Sequence, residues 1–415
     1  MLKPSLRLQP SYYETFRCVG SVCEDNCCSG WRVPVDKETY QEYQANTDPT
    51  LGPKLRSLVN ISAAPESEDS WAEIKLNQGV CSFLSNGLCE IHAALGEKLL
   101  SKNCATFPRV MTNVEGVLER SLDLSCPEAA RLALANPEPM QFVTVTELED
   151  DSRIGSVGLV DTTNVKQPDK PFRYVNEVRN LMIALLQNRG YPLLQRLLVL
   201  GRLCDKLEAE GNESGCEGLR DLAREPAPIH PRPSMPSTAR FETVVELILA
   251  RIGSDATSRR FLDCYQAFMT GLHWTMDSTM EQLAASLEAA FAGPLARFRS
   301  EHEYMLEHYL VGYVFRTLFP FGSASVNRKL AEHSFVHSIS NQYRLMVVDF
   351  VVIETLLAGL AALYGERFGV AEALRLIQSA TKTFEHSISY PGKALELLSQ
   401  KGLVDCASMS MLIRD

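Results

Sequence analysis

Only three tryptophans and no surplus of positive charge occur in this chain of 415 residues. With 41 Lys and Arg against 51 Asp and Glu, its formal net charge is −10. Nucleic-acid partners favour a basic face, so this balance argues against one; it suits a basic target such as a lysine-bearing protein. No apolar signal segment opens the chain, because "MLKPSLRLQPSYYETF" carries proline and charges where the apolar core of a secretory signal would sit. The most apolar run, residues 345–364, contains Asp349 and Glu354, which predicts a buried core helix and no membrane span. The expected setting is cytoplasmic, where thiols stay reduced and a disulfide framework is excluded.

Several catalytic signatures are also missing. Residues 157–165, "VGLVDTTNV", hold a single glycine, so the glycine-rich turn of a dinucleotide or Rossmann-type site is absent. No G-x-S-x-G occurs, which leaves hydrolysis without support. Cys23-x3-Cys27 supplies the first half of the C-x3-C-x2-C signature of radical enzymes, but Cys28 follows at once.

Cysteine, by contrast, is crowded. Eight of twelve lie before residue 127: Cys18, Cys23, Cys27, Cys28, Cys81, Cys89, Cys104 and Cys126. The remaining Cys204, Cys216, Cys264 and Cys406 are scattered, as small buried hydrophobes are. The crowding predicts a metal centre held by about four of the eight. Their irregular spacing fits an iron–sulfur cluster ligated from several loops better than a zinc knuckle built from two close pairs. Zinc remains the alternative. Adjacent Cys27 and Cys28 do not both reach one ion without strain, so one or two ligands are expected from the first loop, joined by some of Cys89, Cys104 and Cys126. At Cys126-Pro127 a helix start is expected, with Ser125 as its cap.

Three stretches carry a family likeness. "YYETFRCVGSVCEDNCCSGWRVPVDKETYQEY", "GVCSFLSNGLCEIHAALGEKLLSKNCATFPR" and "RSLDLSCPEAARL" resemble the flagellin lysine-N-methylase family. The middle stretch is also similar to a wider group of zinc- or iron-chelating cysteine-cluster proteins. The likeness covers the first third of the chain; the remainder resembles that family only in length and helical character. It implies methyl transfer from S-adenosylmethionine to flagellin lysine side chains, and an iron–sulfur cluster of the 4Fe-4S kind. Spacing itself neither contradicts this reaction nor leads to it. The alternative is a non-catalytic metal-binding or electron-carrying module whose helical part docks a partner.

The predicted fold is mainly α: a small cysteine-rich α+β module at 1–140, a linker at 141–165, and a helical domain at 166–415. Trp71–Leu76 reads as a strand and Asn86-Gly87 as a hairpin turn. Val178, Leu181, Met182 and Leu185, like Phe241, Val244, Val245 and Ile248, follow helical spacing, and about seven helices are expected after Ser237. Residues 225–236, with five prolines, form an irregular loop. Near the cysteine loop, Asp25, Tyr12, Tyr13 and Trp31 suit proton acceptance or cation binding, and Arg109 and Arg120 suit a carboxylate. Glu301, His302, Glu303, Glu307 and His308, with His333 and His337, lack Glu-x-x-His spacing on two helices and read as solvated faces.

Overall fold

The computed structural model describes residues 4–62, 65, 67–148, 158–160, 171–210, 235–253, 257–322 and 338–413. It is mainly helical, with a small α+β region at the N-terminus. The expectations at Cys216, His333 and His337, and most of those at 157–165 and 225–236, lie outside the described residues.

The chain opens with β1 (Pro4–Pro10) and then the cysteine loop. Beyond it, β2 (Pro34–Val35) leads into α1 (Lys37–Ala45). Asp36 caps that helix, accepting from Thr39 N at 3.0 Å and from Lys102 N at 2.9 Å. One buried carboxylate thus ties α1 to a segment 66 residues away. Next come α2 (Leu51–Leu58), β3 (Val59–Ile61) and β4 (Ala72–Ile74), the last within the predicted strand. These strands form a sheet of order β2-β4-β3. Two hairpins follow, β5 (Leu76–Asn77) with β6 (Val80–Cys81) and β7 (Leu84–Ser85) with β8 (Leu88–Cys89). Asn86 and Gly87 turn the second at φ 50° and 77°, the left-handed pair that a two-residue hairpin demands. Short helices α3 (Glu90–Leu95) and α4 (Lys102–Thr106) close a core around Val35, Tyr43, Leu55 and Phe83.

A second sheet combines β1 with β9 (Arg109–Val114), β10 (Val117–Leu122), β11 (Phe142–Leu148) and β12 (Gly158–Val160), in the order β11-β1-β10-β9-β12. Where the sequence predicts a linker, β11 pairs antiparallel with β1 from Pro4↔Leu148 to Pro10↔Phe142. The alternation Val143-Thr144-Val145-Thr146 is a strand pattern that the acidic run after it obscures. Between the sheet strands, α5 (Pro127–Leu134) starts one residue later than expected. Cys126 is its N-cap and Pro127 its first residue, a position where a missing N–H does no harm.

The helical part runs through α6 (Val175–Leu186), α7 (Leu193–Glu210), α8 (Ser237–Ile252), α9 (Arg259–Gly271) and α10 (Met280–Ala290). It continues with α11 (Ala296–His302), α12 (Tyr304–Thr317), α13 (Ile339–Tyr364), α14 (Val370–Phe384) and α15 (Tyr390–Gln400). Eight of these follow Ser237 among the described residues. Helix α13, 26 residues and about 39 Å long, is the axis of the core. It is apolar enough to cross a bilayer, yet 89% of its most apolar stretch is buried, so it acts as the core helix that Asp349 and Glu354 predict. Helix α9 crosses it at glycines: a Cβ on Gly271 would lie 1.9 Å from Gly359 O. Leu124, Ala130, Leu134 and Met140 join this same core, so α5 belongs by packing to the helical layer.

Candidate functional site

Eleven cysteines lie among the described residues, all of them free thiols. The N-terminal eight fall into two neighbourhoods. Cys27, Cys28 and Cys81 adjoin one another, with Cys28 in hydrogen-bonding contact with both others. The backbone arranges this: Cys81 N donates to Cys28 O at 2.7 Å and Gly30 N to Gly79 O at 3.0 Å, while Asn26 Oδ1 accepts from Cys28 N. The β5–β6 hairpin is thereby laid against the loop. Cys89, at the end of β8, and Cys104, on α4, face the same cluster and pack on the same core. The other neighbourhood is formed by Cys18, Cys23 and Cys126. Sequence spacing did not separate these two sets.

Burial pushes the Cys104 and Cys126 thiols up to about 12, and raises Cys23 and Cys89 above their ordinary value. Such thiols stay protonated at neutral pH unless a cation replaces the proton. Five soft donors drawn from four segments fit an iron–sulfur cluster or zinc by their chemistry. Among the described residues, no three His, Cys, Asp or Glu side chains stand in an arrangement that holds an ion. The donors therefore fit in kind, but their ligating geometry is not formed.

Helix α14 grips the cysteine loop from the other side. Lys382, its side chain 2% exposed, places Nζ 2.8 Å from Asp25 Oδ1 and 3.1 Å from Asn26 O. Gln378 Nε2 donates to the other Asp25 oxygen at 2.9 Å and to Ser125 O at 2.6 Å. Trp31 lies beneath the Lys382 ammonium, 4.9 Å from ring centre to Nζ, and meets His386 edge-on at 5.0 Å. Its indole N–H donates to Cys27 O. His386 Nε2 is in turn 3.2 Å from Asp123 Oδ2. Asp25, a proton-acceptor candidate from sequence, is thus occupied in positioning the loop, and Trp31 in stacking. Lys382, Gln378, Asp123 and His386 carry no motif, and sequence reasoning missed them.

The other candidates disperse. Arg120 is buried in the sheet, bonded to Gln9, Glu14 and Glu147, with Tyr13 stacked 4.8 Å from its guanidinium. Burial raises both the Tyr12 and Tyr13 phenols, so neither serves as a ready base. Arg109 lies over the Phe16 ring at 5.3 Å. Glu307 and His308 are not solvated as expected. Glu307 is buried between Arg189 and Arg196, and His308 Nδ1 contacts Ala133 O at 3.1 Å. Two arginines from α6–α7 neutralise a carboxylate that helix periodicity alone assigns to solvent. Cys204, Cys264 and Cys406 are buried, as scattered cysteines are.

A cavity of about 1080 Å³ opens beside Glu307, between the α6–α7 turn, α11 and the C-terminal residues Ser410, Met411 and Ile413.

Comparison with known proteins then decides the family. The sequence model of the FliB lysine N-methylase C-terminal domain matches residues 179–412, more than half of the chain. The chain belongs to the FliB lysine N-methylase family. It is 36% identical over 135 residues to the flagellar biosynthetic protein FliU of Salmonella muenchen, covering 32% of this chain and 79% of that one. It is 35% identical over 144 residues to a lysine-N-methylase of Salmonella typhimurium, covering 34% of this chain and 35% of the relative. A lysine-N-methylase of Salmonella choleraesuis is 34% identical over the same length and share. The chain therefore spans about a third of the two lysine-N-methylases it matches. No solved structure matches.

The FliB C-terminal domain begins at Arg179, whose guanidinium pairs with Glu119 of β10 at 2.7 Å and donates to Phe315 O at 2.9 Å. Lys382, Gln378, His386 and every cavity-lining residue except Ile413 fall inside it, whereas all eight clustered thiols precede it.

Proposed function

We infer that this chain is an S-adenosylmethionine-dependent lysine N-methyltransferase whose substrate is flagellin. Family membership is the observation that carries the reading. The relatives' names, two lysine-N-methylases and a flagellar biosynthetic protein, support the acceptor and the flagellar setting. The metal centre of this reading is an iron–sulfur cluster, held by some of Cys27, Cys28, Cys81, Cys89 and Cys104, with Cys18, Cys23 and Cys126 as the further donors; zinc is the alternative. When bound, it supplies a fixed local charge and cross-links the loops. A reducing, cytoplasmic compartment suits eleven free thiols.

Methyl transfer asks for alignment more than covalent catalysis. The lysine ammonium gives up its proton to a base, its nitrogen lone pair attacks the sulfonium methyl, and the S–CH3 electrons return to sulfur. The products are N-methyllysine and S-adenosylhomocysteine. Lys382, Gln378 and Trp31 contribute by holding residues 25–31 in one conformation, a positioning role and not a catalytic one.

The test uses anaerobically purified protein, labelled S-adenosylmethionine and flagellin, with and without dithionite. Label on lysine nitrogen with S-adenosylhomocysteine, independent of reductant, is the expected result. Reductant-dependent 5′-deoxyadenosine coupled to methylation overturns the polar route. No turnover under either condition overturns the enzyme reading in favour of a metal-binding module.

A further inference from the structure

The cavity beside Glu307 is separate from the cysteine seam. Glu307 and Arg316 lie nine residues apart on α12, about 14 Å along the helix, and it is Arg316 that reaches Glu385 beside His386. Whatever occupies the cavity therefore does so at a distance from the thiols.

Its charges are sorted by depth. Arg196, Arg240 and Arg299 are withdrawn into the walls and tied to carboxylates: Arg196 to Glu307 at 2.7 Å, Arg240 to Glu288 at 3.3 Å, and Arg299 to Glu303 at 2.8 Å and Glu354 at 3.0 Å. Each of these guanidiniums is already paired with a carboxylate, which weakens its claim on a ligand anion. Apart from buried Glu307, the lining carboxylates stand further out. Glu301 is 78% exposed, and its nearest basic neighbour among the described residues is His302, at 3.9 Å. Glu288 and Glu303 are part-exposed at the same opening, 43% and 31%, as is Arg189 at 39%, whereas Arg240 and Arg299 keep only 16% and 17%. Tyr191, Phe291 and Tyr304 add aromatic surface, which favours an ammonium beside the carboxylates.

At about 1080 Å³ the space is at or above the size of an ordinary small-molecule site, and it is open on one side, as suits a stretch of polypeptide. The net charge of −10 favours approach of a basic partner to the chain as a whole.

We propose that this cavity docks a lysine-bearing segment of the protein substrate, with an ammonium at the mouth against Glu301 and the aromatic rings. The proposal rests on the lysine-methyltransferase reading for its choice of substrate. Glu301 and Tyr304 are docking residues that hold the substrate while another part of it reaches the reacting centre.

The experiment measures binding of a fluorescent peptide rich in lysine, and of its fully acetylated form, by anisotropy with the full-length chain. KM and kcat on a lysine-bearing protein are measured in parallel. Glu301→Lys is expected to weaken the peptide about tenfold, Glu301→Gln about threefold, and acetylation at least as much as Glu301→Lys, which are the ratios for loss or reversal of one part-exposed charge contact. Glu42→Lys, an exposed change on α1, serves as the control and leaves binding unchanged. KM rises in step with the loss of affinity while kcat holds. Equal binding by Glu301→Lys and wild type, or by both peptides, overturns the proposal. So does displacement of the peptide by S-adenosylhomocysteine, which would make the cavity the donor site, or its occlusion by self-association of the chain. Wild type that docks the peptide through Glu301 but transfers no methyl removes the enzyme reading and leaves the docking site. Wild type that methylates with indifference to Glu301→Lys removes the docking site alone.

Discussion

Lys382 Nζ and Asp25 Oδ1 meet at 2.8 Å across 357 positions of sequence, between α14 and the cysteine loop. Lys382 is buried and Asp25 nearly so, and Gln378 and Trp31 pack around the pair. A loop with little regular structure of its own is therefore held by a helix of the FliB domain, and its order depends on that helix.

Lys382→Met leaves Asp25 with Gln378 and the more distant Arg260 to answer its charge. The expected loss is about 3–5 kcal/mol, the usual penalty for removing one partner of a buried pair. It is read from the urea midpoint, with faster hydrogen exchange confined first to residues 23–31. Adding Asp25→Asn should recover much of the loss. A double variant as unstable as the sum of the two singles would show that the pair is not the origin.

Cysteine importance should divide by neighbourhood. Cys81→Ser and Cys104→Ser are expected to abolish metal uptake during anaerobic purification, measured as iron, zinc and acid-labile sulfide per chain. Cys204→Ala should keep the metal and lose only about 1–2 kcal/mol, as the buried sulfur is deleted. Equal metal loss in both groups would contradict the assignment.

The α9–α13 crossing tolerates no side chain. Gly271→Ala drives a methyl into Gly359 O and forces two backbones apart, an overpacking worth at least about 1–3 kcal/mol. A clear fall in melting temperature is expected. Gly293→Ala meets nothing within 4 Å and should leave it unchanged or slightly higher. Matching behaviour of the two variants would refute the close approach.

A pH dependence follows from His386 and Asp123. Burial works against a charged imidazole, but the Asp123 carboxylate outweighs it and raises His386 above its ordinary 6.5. Burial likewise opposes the Asp123 charge, and His386 and Arg316 overcome it, holding the carboxyl well below its usual range. The histidine's contribution is complete below about 6.5 and is lost as pH rises through the elevated folded value. Asp123's is complete above about 3.9 and is lost as pH falls toward its depressed one. The pair thus stabilises most between those limits. His386→Asn should flatten the alkaline decline between pH 6 and 9 in urea titrations. An identical decline in both proteins would sink this account.

Local signals were the legible ones. Asn86-Gly87 turns a hairpin because two residues suffice to specify it, and the charged residues inside α13 marked it as core. Which thiols adjoin which depends on Cys81 N meeting Cys28 O across 53 residues, and no spacing rule contains that bond. Glu307 looked solvated because helix periodicity cannot see Arg189 and Arg196 more than 100 residues earlier. Ser125 was a sound cap by residue type, but Pro127 fixed the first helical position one step along. Lys382 and His386 sit in an ordinary amphipathic stretch, and only their partners mark them.

The Lys382–Asp25 contact also sets an order of events in biosynthesis. The cysteine loop leaves the ribosome before α14 does, 357 positions earlier in the chain. At roughly 5–20 residues per second, the 357 intervening positions take on the order of 20–70 s to synthesise. Throughout that interval the clamp on residues 25–31 does not exist, and Cys18, Cys23, Cys27 and Cys28 belong to a nascent chain whose restraint has not yet been translated. A ribosome that stalls before α14 accordingly yields a polypeptide with every clustered thiol and no means of holding the loop in place.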